Sequence, residues 1–186
     1  MEKYITLPLT KEVSRSLKAG DRVYLTGEIY TSRDAGHKRM CETLAKGEKL
    51  PFEPMDTTIY YVGPTPAKPG MVIGSAGPTT SGRMDAYAPT LMDIGARGMI
   101  GKGARTPEVI ESIKKNEGTY FGAIGGAGAL LAKSIKKSEV IAYEDLGTEA
   151  LRKLYVENMP LVVIIDSEGR NLYEEGKREY LAKRAE

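Results

Sequence analysis

Between residues 71 and 166, short apolar runs alternate with amphipathic stretches, and this alternation limits the chain to strands layered against helices. A short strand is expected at 71–75. Met84, Tyr87, Leu91 and Ile94 then recur at three- and four-residue spacing, which predicts a helix. Pro89 must kink that helix or lie in its first turn. Residues 98–101 read as a short strand or turn. Thr106-Pro107 reads as an N-cap followed by a proline at the first helical position, and Gly118 as the end of that helix. Strands are expected at 119–124, 140–143 and 161–166, with helices at 126–133 and 148–157. In the first half, alternation across 22–30 predicts a strand running into a loop at 31–34. A helix at 38–45, a loop at 50–55 and a strand at 58–62 follow, and Pro64, Pro66 and Pro69 hold an irregular connection. The expectation is one α/β layered domain spanning residues 1–186, with a β-richer first half.

Composition removes several function classes. With 27 Lys and Arg against 25 Asp and Glu, the net charge is +2, too small for a broad nucleic-acid footprint. The basic tail at 177–184 is interrupted by Glu179 and Tyr180 and reads as a solvated helix. The longest aliphatic run, 161–165, is far short of the ~20 residues of a membrane span. The first residues lack the basic start and apolar stretch of a secretory signal, so a cytoplasmic location is expected. Cys41 is the single cysteine and His37 the single histidine. No internal disulfide can form, and one copy of the chain cannot build a zinc or iron–sulfur site. Cys41 reads as a small hydrophobe.

Two glycine-rich stretches invite nucleotide readings, and both fail. A phosphate-binding loop ending at Gly101-Lys102 needs glycine at 96 and a hydroxyl at 103, where Ala96 and Gly103 stand. Gly126-Ala-Gly128 needs a third glycine at 131 and meets Leu131, so a tight turn opening a helix is the better reading there. The denser signal is Gly74-Ser-Ala-Gly-Pro-Thr-Thr-Ser-Gly-Arg-Met-Asp. Its glycines admit a ligand close to the backbone, helix N-terminal amides favour an anion, and Arg83 offers a planar fork to a carboxylate. An N-capped helix with an exposed arginine would use the same residues. A second cluster, Thr31-Ser-Arg-Asp-Ala-Gly-His, places Arg33 as an anion ligand, with Asp34 holding that side chain or capping a helix. His37 titrates near neutrality unless perturbed, although a lone histidine is more often structural. Lys102, between two glycines, is a third cation and could equally be a surface lysine in a turn.

Arg33-Asp-Ala-Gly-His-Lys-Arg, Gly77-Pro-Thr-Thr-Ser-Gly-Arg-Met-Asp and Met99-Ile-Gly-Lys-Gly, in this order, carry a resemblance. The chain resembles the β subunit, or C-terminal domain, of iron–sulfur-dependent class I fumarases and L-tartrate dehydratases, over roughly residues 4 to 176. Gly36 departs from a more usual alanine and is expected to loosen its turn. The resemblance implies a swivelling β/β/α domain. It also implies a [4Fe–4S] cluster on a partner α subunit in a hetero-oligomer, with no metal on this chain. Arg33, Thr80, Arg83 and Lys102 would contact substrate carboxylates. Thr79 would be the base, with His37 a weaker candidate for proton transfer. Asp34, Ser81 and Asp85 would support them. The implied reaction is reversible hydration of fumarate to (S)-malate. Tartrate dehydration is the alternative, and a non-catalytic dicarboxylate-binding module is the reading from another class.

Overall fold

A computed structural model describes residues 1–123 and 128–185. Its strands are β1 (Glu2–Thr6), β2 (Arg22–Thr31), β3 (Thr58–Tyr60), β4 (Gly98–Gly101), β5 (Thr119–Gly122), β6 (Ile135–Ala142) and β7 (Leu151–Ile165). Its helices are α1 (Lys11–Ser16), α2 (Asp34–Ala45), α3 (Ala88–Asp93), α4 (Pro107–Asn116), α5 (Gly128–Ser134) and α6 (Leu172–Arg184), with 3-10 turns at Ser81–Met84 and Glu144–Glu149. The expected α/β class holds.

The sheet closes on itself. β2, β3, β4 and β5 run parallel side by side, and β7 pairs antiparallel with both β5 and β2, completing a ring. β1 extends the first half of β2, and β6 covers the first half of β7. Because successive side chains of a strand point to opposite faces, each ring strand feeds two cores. Tyr60, Ile100, Phe121 and Val163 join Leu25, Ile29 and Leu154 in one cluster. Their neighbours Ile59, Met99, Tyr120 and Ile164 join a second cluster, which packs beneath Met40 of α2, Leu91 of α3 and Val109 and Ile113 of α4.

Local signals were read well at α4. Thr106 Oγ1 accepts from Val109 N with Pro107 at the first position. The left-handed residue that ends this helix is Glu117 (φ +52), one place before Gly118, and its carboxylate is held by Arg15 and Lys11. Pro89 lies in the first turn of α3, which is shorter than the 84–94 periodicity suggested. α2 begins at Asp34, four residues before the expected 38, and the 177–184 tail is the end of α6. Ile124 and the glycine turn read at Gly125-Gly126 lie outside the described residues.

Three expectations are corrected. Residues 71–75 form no strand: Ser75 and Thr65 bond to each other, and none of the described strands pairs with them. Residues 148–157 are not a helix, since the segment enters β7 at Leu151. The buried positions Leu151 and Leu154, and again Val156 and Met159, stand three apart and imitate a helical stripe. For the second pair the cause is a bulge: β2 advances two residues from Leu25 to Gly27 while β7 advances three, with Asn158 left-handed at φ +48. The third correction concerns the balance of the two halves. β5, β6 and the 15-residue β7 make the second half the strand-richer one, whereas β1 and α1 escaped the pattern reading.

Candidate functional site

The polar motifs converge where the parallel strands β2, β3 and β4 end, the edge at which open parallel sheets commonly bind ligands. Arg33 follows β2, and Lys102 follows β4. The Thr-Thr-Ser run lies across these ends. Thr79 N donates to Tyr61 O just beyond β3 (2.8 Å), Thr80 forms a parallel bridge with Lys102, and Ser81 N donates to Lys102 O (2.9 Å). Thr80 and Lys102 are exposed and Thr79 is half-buried. Ser81 points the other way, into the interior, with its Oγ 2.8 Å from the Tyr120 hydroxyl, which is itself 2.8 Å from Gly103 O.

The Arg33 motif reaches the same place through an ion pair. Arg83 Nε and Nη2 donate to Asp34 Oδ2 at 2.9 and 2.8 Å. Asp34 therefore holds Arg83 rather than Arg33, while also placing a carboxylate in the first turn of α2. Arg33 lies along Gly63, where a Cβ would stand 2.9 Å from its Cδ and Nη1, so any larger residue there would displace this side chain. Glu149 Oε1 accepts weakly from Ala35 N (3.4 Å) and is 3.9 Å from Arg33 Nε. Among the described residues, Lys102 has no carboxylate within ion-pair distance. The face thus presents three cations, Arg33, Arg83 and Lys102, beside two threonine hydroxyls.

Residues 2–176 match the family model described as the fumarase C-terminus. The chain belongs to the fumarase C-terminal family. It is 37% identical over 187 residues to "Putative L(+)-tartrate dehydratase subunit beta" of Methanocaldococcus jannaschii, covering 97% of this chain and 96% of that protein. It is 40% identical over 156 residues to the aerobic class I fumarate hydratase of Salmonella typhimurium, covering 83% of this chain and 27% of that protein. Fumarate hydratase 2 of Leishmania major matches at 40% over the same length, with 28% of it covered. The chain spans about a quarter of the length of these fumarate hydratases.

In this fumarase C-terminal chain, His37 lies behind the site. Its side chain is fully buried, with Nδ1 2.9 Å from both Arg33 O and Ser32 Oγ, and it packs edge-on against Tyr61. A proton on Nδ1 satisfies the Arg33 carbonyl, and Nε2 has no partner among the described residues. Burial pushes the imidazole from 6.5 down to about 4; the Arg33 carbonyl opposes this, the Arg105 charge adds to it, and Asp34 opposes it. The buried ring anchors the start of α2 behind the exposed Thr80 and Lys102, and near pH 7 it is neutral. A Cβ on Gly36 would stand 2.6 Å from Ser32 Oγ. Glycine here leaves Ser32 Oγ room to reach His37.

The pH dependence follows. Between pH 6.5 and about 4 the unfolded histidine binds a proton that the folded one refuses, so folding stability falls as the pH drops through this window. The full loss is about 3 kcal/mol. Denaturant titrations from pH 7 to 4 should show a shallower slope for His37→Asn than for the wild type, and equal slopes would refute the assignment.

Asp85 is also turned inward. Its carboxylate accepts from Arg105 Nε (2.6 Å) and Thr106 N (2.7 Å), and Arg105 is stacked between Tyr61 and Tyr120. Tyr61, Gly63, Arg105 and Glu149 were not singled out from sequence. Arg105 had one signal, its place just before the Thr106 cap. Among the described residues no group of three or more His, Cys, Asp or Glu is placed to hold a metal. Cys41 is free and half-buried on α2.

Proposed function

We propose that this chain is the β subunit of a two-subunit hydro-lyase that interconverts fumarate and (S)-malate, supplying the dicarboxylate clamp and the base. The observation that carries the reading is the joining of three distant motifs on one face: Thr80 bridged to Lys102, and Arg83 tied to Asp34 beside Arg33. On this reading Arg33, Arg83, Lys102 and the Thr80 hydroxyl bind the two carboxylates. Removing the carbon-bound proton spreads negative charge into the adjacent carboxylate, and fixed cations stabilise that charge more than they stabilise the substrate. Thr79 takes the proton. Asp34 occupies the Nε edge of Arg83 and leaves Nη1 free for a substrate oxygen.

A [4Fe–4S] cluster, which class I fumarases use, does not fit this chain. Such clusters are held by several thiolates, and Cys41 stands alone. The cluster belongs on the partner α subunit, and this chain's residues act on the substrate's carboxylates and carbon-bound proton. We read residues 1–186 as one domain of a cytoplasmic heteromer. No helix among the described residues is long and apolar enough to cross a membrane. Tartrate dehydration is the second reading, favoured by the end-to-end match to a protein named for a tartrate dehydratase β subunit.

Anaerobic reconstitution with the cluster-bearing partner tests the reading. Malate-dependent appearance of fumarate absorbance, absent with either chain alone, is the expected result. Oxaloacetate from tartrate in place of it would select the second reading, and turnover of neither would sink both. In the active pair, Arg83→Lys should raise KM at least tenfold, because one ammonium cannot face Asp34 and a substrate carboxylate as a planar fork does. Wild-type KM in that variant would remove Arg83 from the clamp.

A further inference from the structure

Beside the candidate site, residues 65–75 and α5 enclose an open trough of about 610 Å³. Its floor is apolar, formed by Met71, Val72, Ile73, Ala129, Ala132 and Ile135. Met71 and Val72 are 54% and 48% exposed. Large apolar side chains left this bare in one trough mark an interaction surface more often than a solvated one. The rim is cationic: Lys68, Lys133 and Lys136 line the trough, and among the described residues no Asp or Glu does.

The trough is continuous with the site. Gly128 at the start of α5 packs against Ser75 and Gly77, with a Cβ there only 3.0 Å from Ser75 Oγ, and Thr79 follows two residues later. A polypeptide laid over Thr79, Thr80 and Lys102 therefore extends onto the trough. In the fumarate hydratases of Salmonella typhimurium and Leishmania major the segment similar to this chain is about a quarter of a longer polypeptide. In those proteins the matched domain is therefore joined to a longer remainder, whereas the Methanocaldococcus jannaschii protein is matched almost end to end.

We propose that this trough docks the partner polypeptide that completes the active site, the counterpart of that remainder, through apolar side chains flanked by carboxylates. The proposal rests on the two-subunit reading above. The apolar floor supplies the anchor, and the three lysines select an acidic rim on the partner and speed its approach.

Two variants test it, Val72→Asp and the charge reversal Lys68→Glu/Lys133→Glu/Lys136→Glu. Each changes trough residues outside the clamp, and circular dichroism and thermal unfolding confirm the fold of each. Calorimetry with the purified partner should show Kd raised about thirtyfold or more in both. In the wild-type complex, hydrogen exchange should slow across 66–73 and α5. Wild-type affinity in both variants, protection confined to another face, or no complex with the wild type would overturn the proposal. So would a wild-type homodimer that Val72→Asp dissociates, since the trough's occupant would then be a second copy of this chain. A normal wild-type complex, weakened by both variants yet turning over neither malate nor tartrate, would keep the surface and sink the proposed activity. An active pair indifferent to both variants would do the reverse.

Discussion

Arg105→Met is expected to lower the unfolding free energy by about 3–5 kcal/mol, a large fraction of what holds a domain of this size folded. The Arg105 side chain is 0% exposed and its partner Asp85 5%. Nε donates to Asp85 Oδ1, Nη2 to the Tyr61 hydroxyl (3.3 Å), and Nη1 approaches Met99 Sδ (3.5 Å). Methionine fills much of the volume between the two tyrosines but leaves Asp85 buried with only Thr106 N as donor. The cost comes from that uncompensated carboxylate, so removing it as well should recover much of the loss. Urea titration of Arg105→Met, Asp85→Asn and the double variant supplies the cycle. A single-variant loss below about 1 kcal/mol, or a double variant as unstable as the sum of the singles, would show that burial of the pair is not what makes it matter.

That pair also shows where sequence reading stops. Glycines, caps and short apolar runs are local signals, and they located β2, β4 and the start of α4 to within a residue. The start of β7 failed because Leu151 and Leu154, and across the bulge Val156 and Met159, stand three apart as on a helix, and only pairing with β2, more than a hundred residues earlier, resolves the ambiguity. Within the threonine motif, sequence gave no direction for each side chain. The 3-10 turn at Ser81–Met84 stacks residues three apart, so Ser81 and Met84 are buried together while Gly82 and Arg83 are exposed. Asp85, next along, turns in to Arg105. Asp34 was read as a partner for Arg33 or a cap for a helix; it stands in the first turn of α2, and its ion-pair partner, Arg83, is 49 residues away. Glu149 lay inside the segment misread as a helix, which hid its approach to Arg33.

Thr79→Ala, assayed in the reconstituted pair, is expected to lower kcat by about 10²–10⁴, the range typical of losing a positioned acid or base, with KM changed only a few-fold. The backbone at Thr79 is fixed by its own N–H to Tyr61 O, so alanine leaves the loop and the bridge at Thr80 in place. A threonine hydroxyl is a poor base at neutral pH and needs a strong local field. His37, buried and holding its proton toward Arg33, does not supply one. The field on this face comes from Arg33, Arg83 and Lys102, cations that favour an alkoxide at Thr79 and an enediolate-like substrate through the same charge. Neutralising Lys102 as Lys102→Met should therefore lower kcat as well as weaken binding, whereas Thr80→Val, which removes a hydroxyl from the clamp and leaves the charge, should act mainly on KM. Exchange of the malate C3 proton with deuterated solvent isolates the step: it should stop in Thr79→Ala and persist in Thr80→Val. Continued exchange in Thr79→Ala, or equal losses in kcat and substrate affinity, would make Thr79 a positioning residue and move the base to the partner subunit.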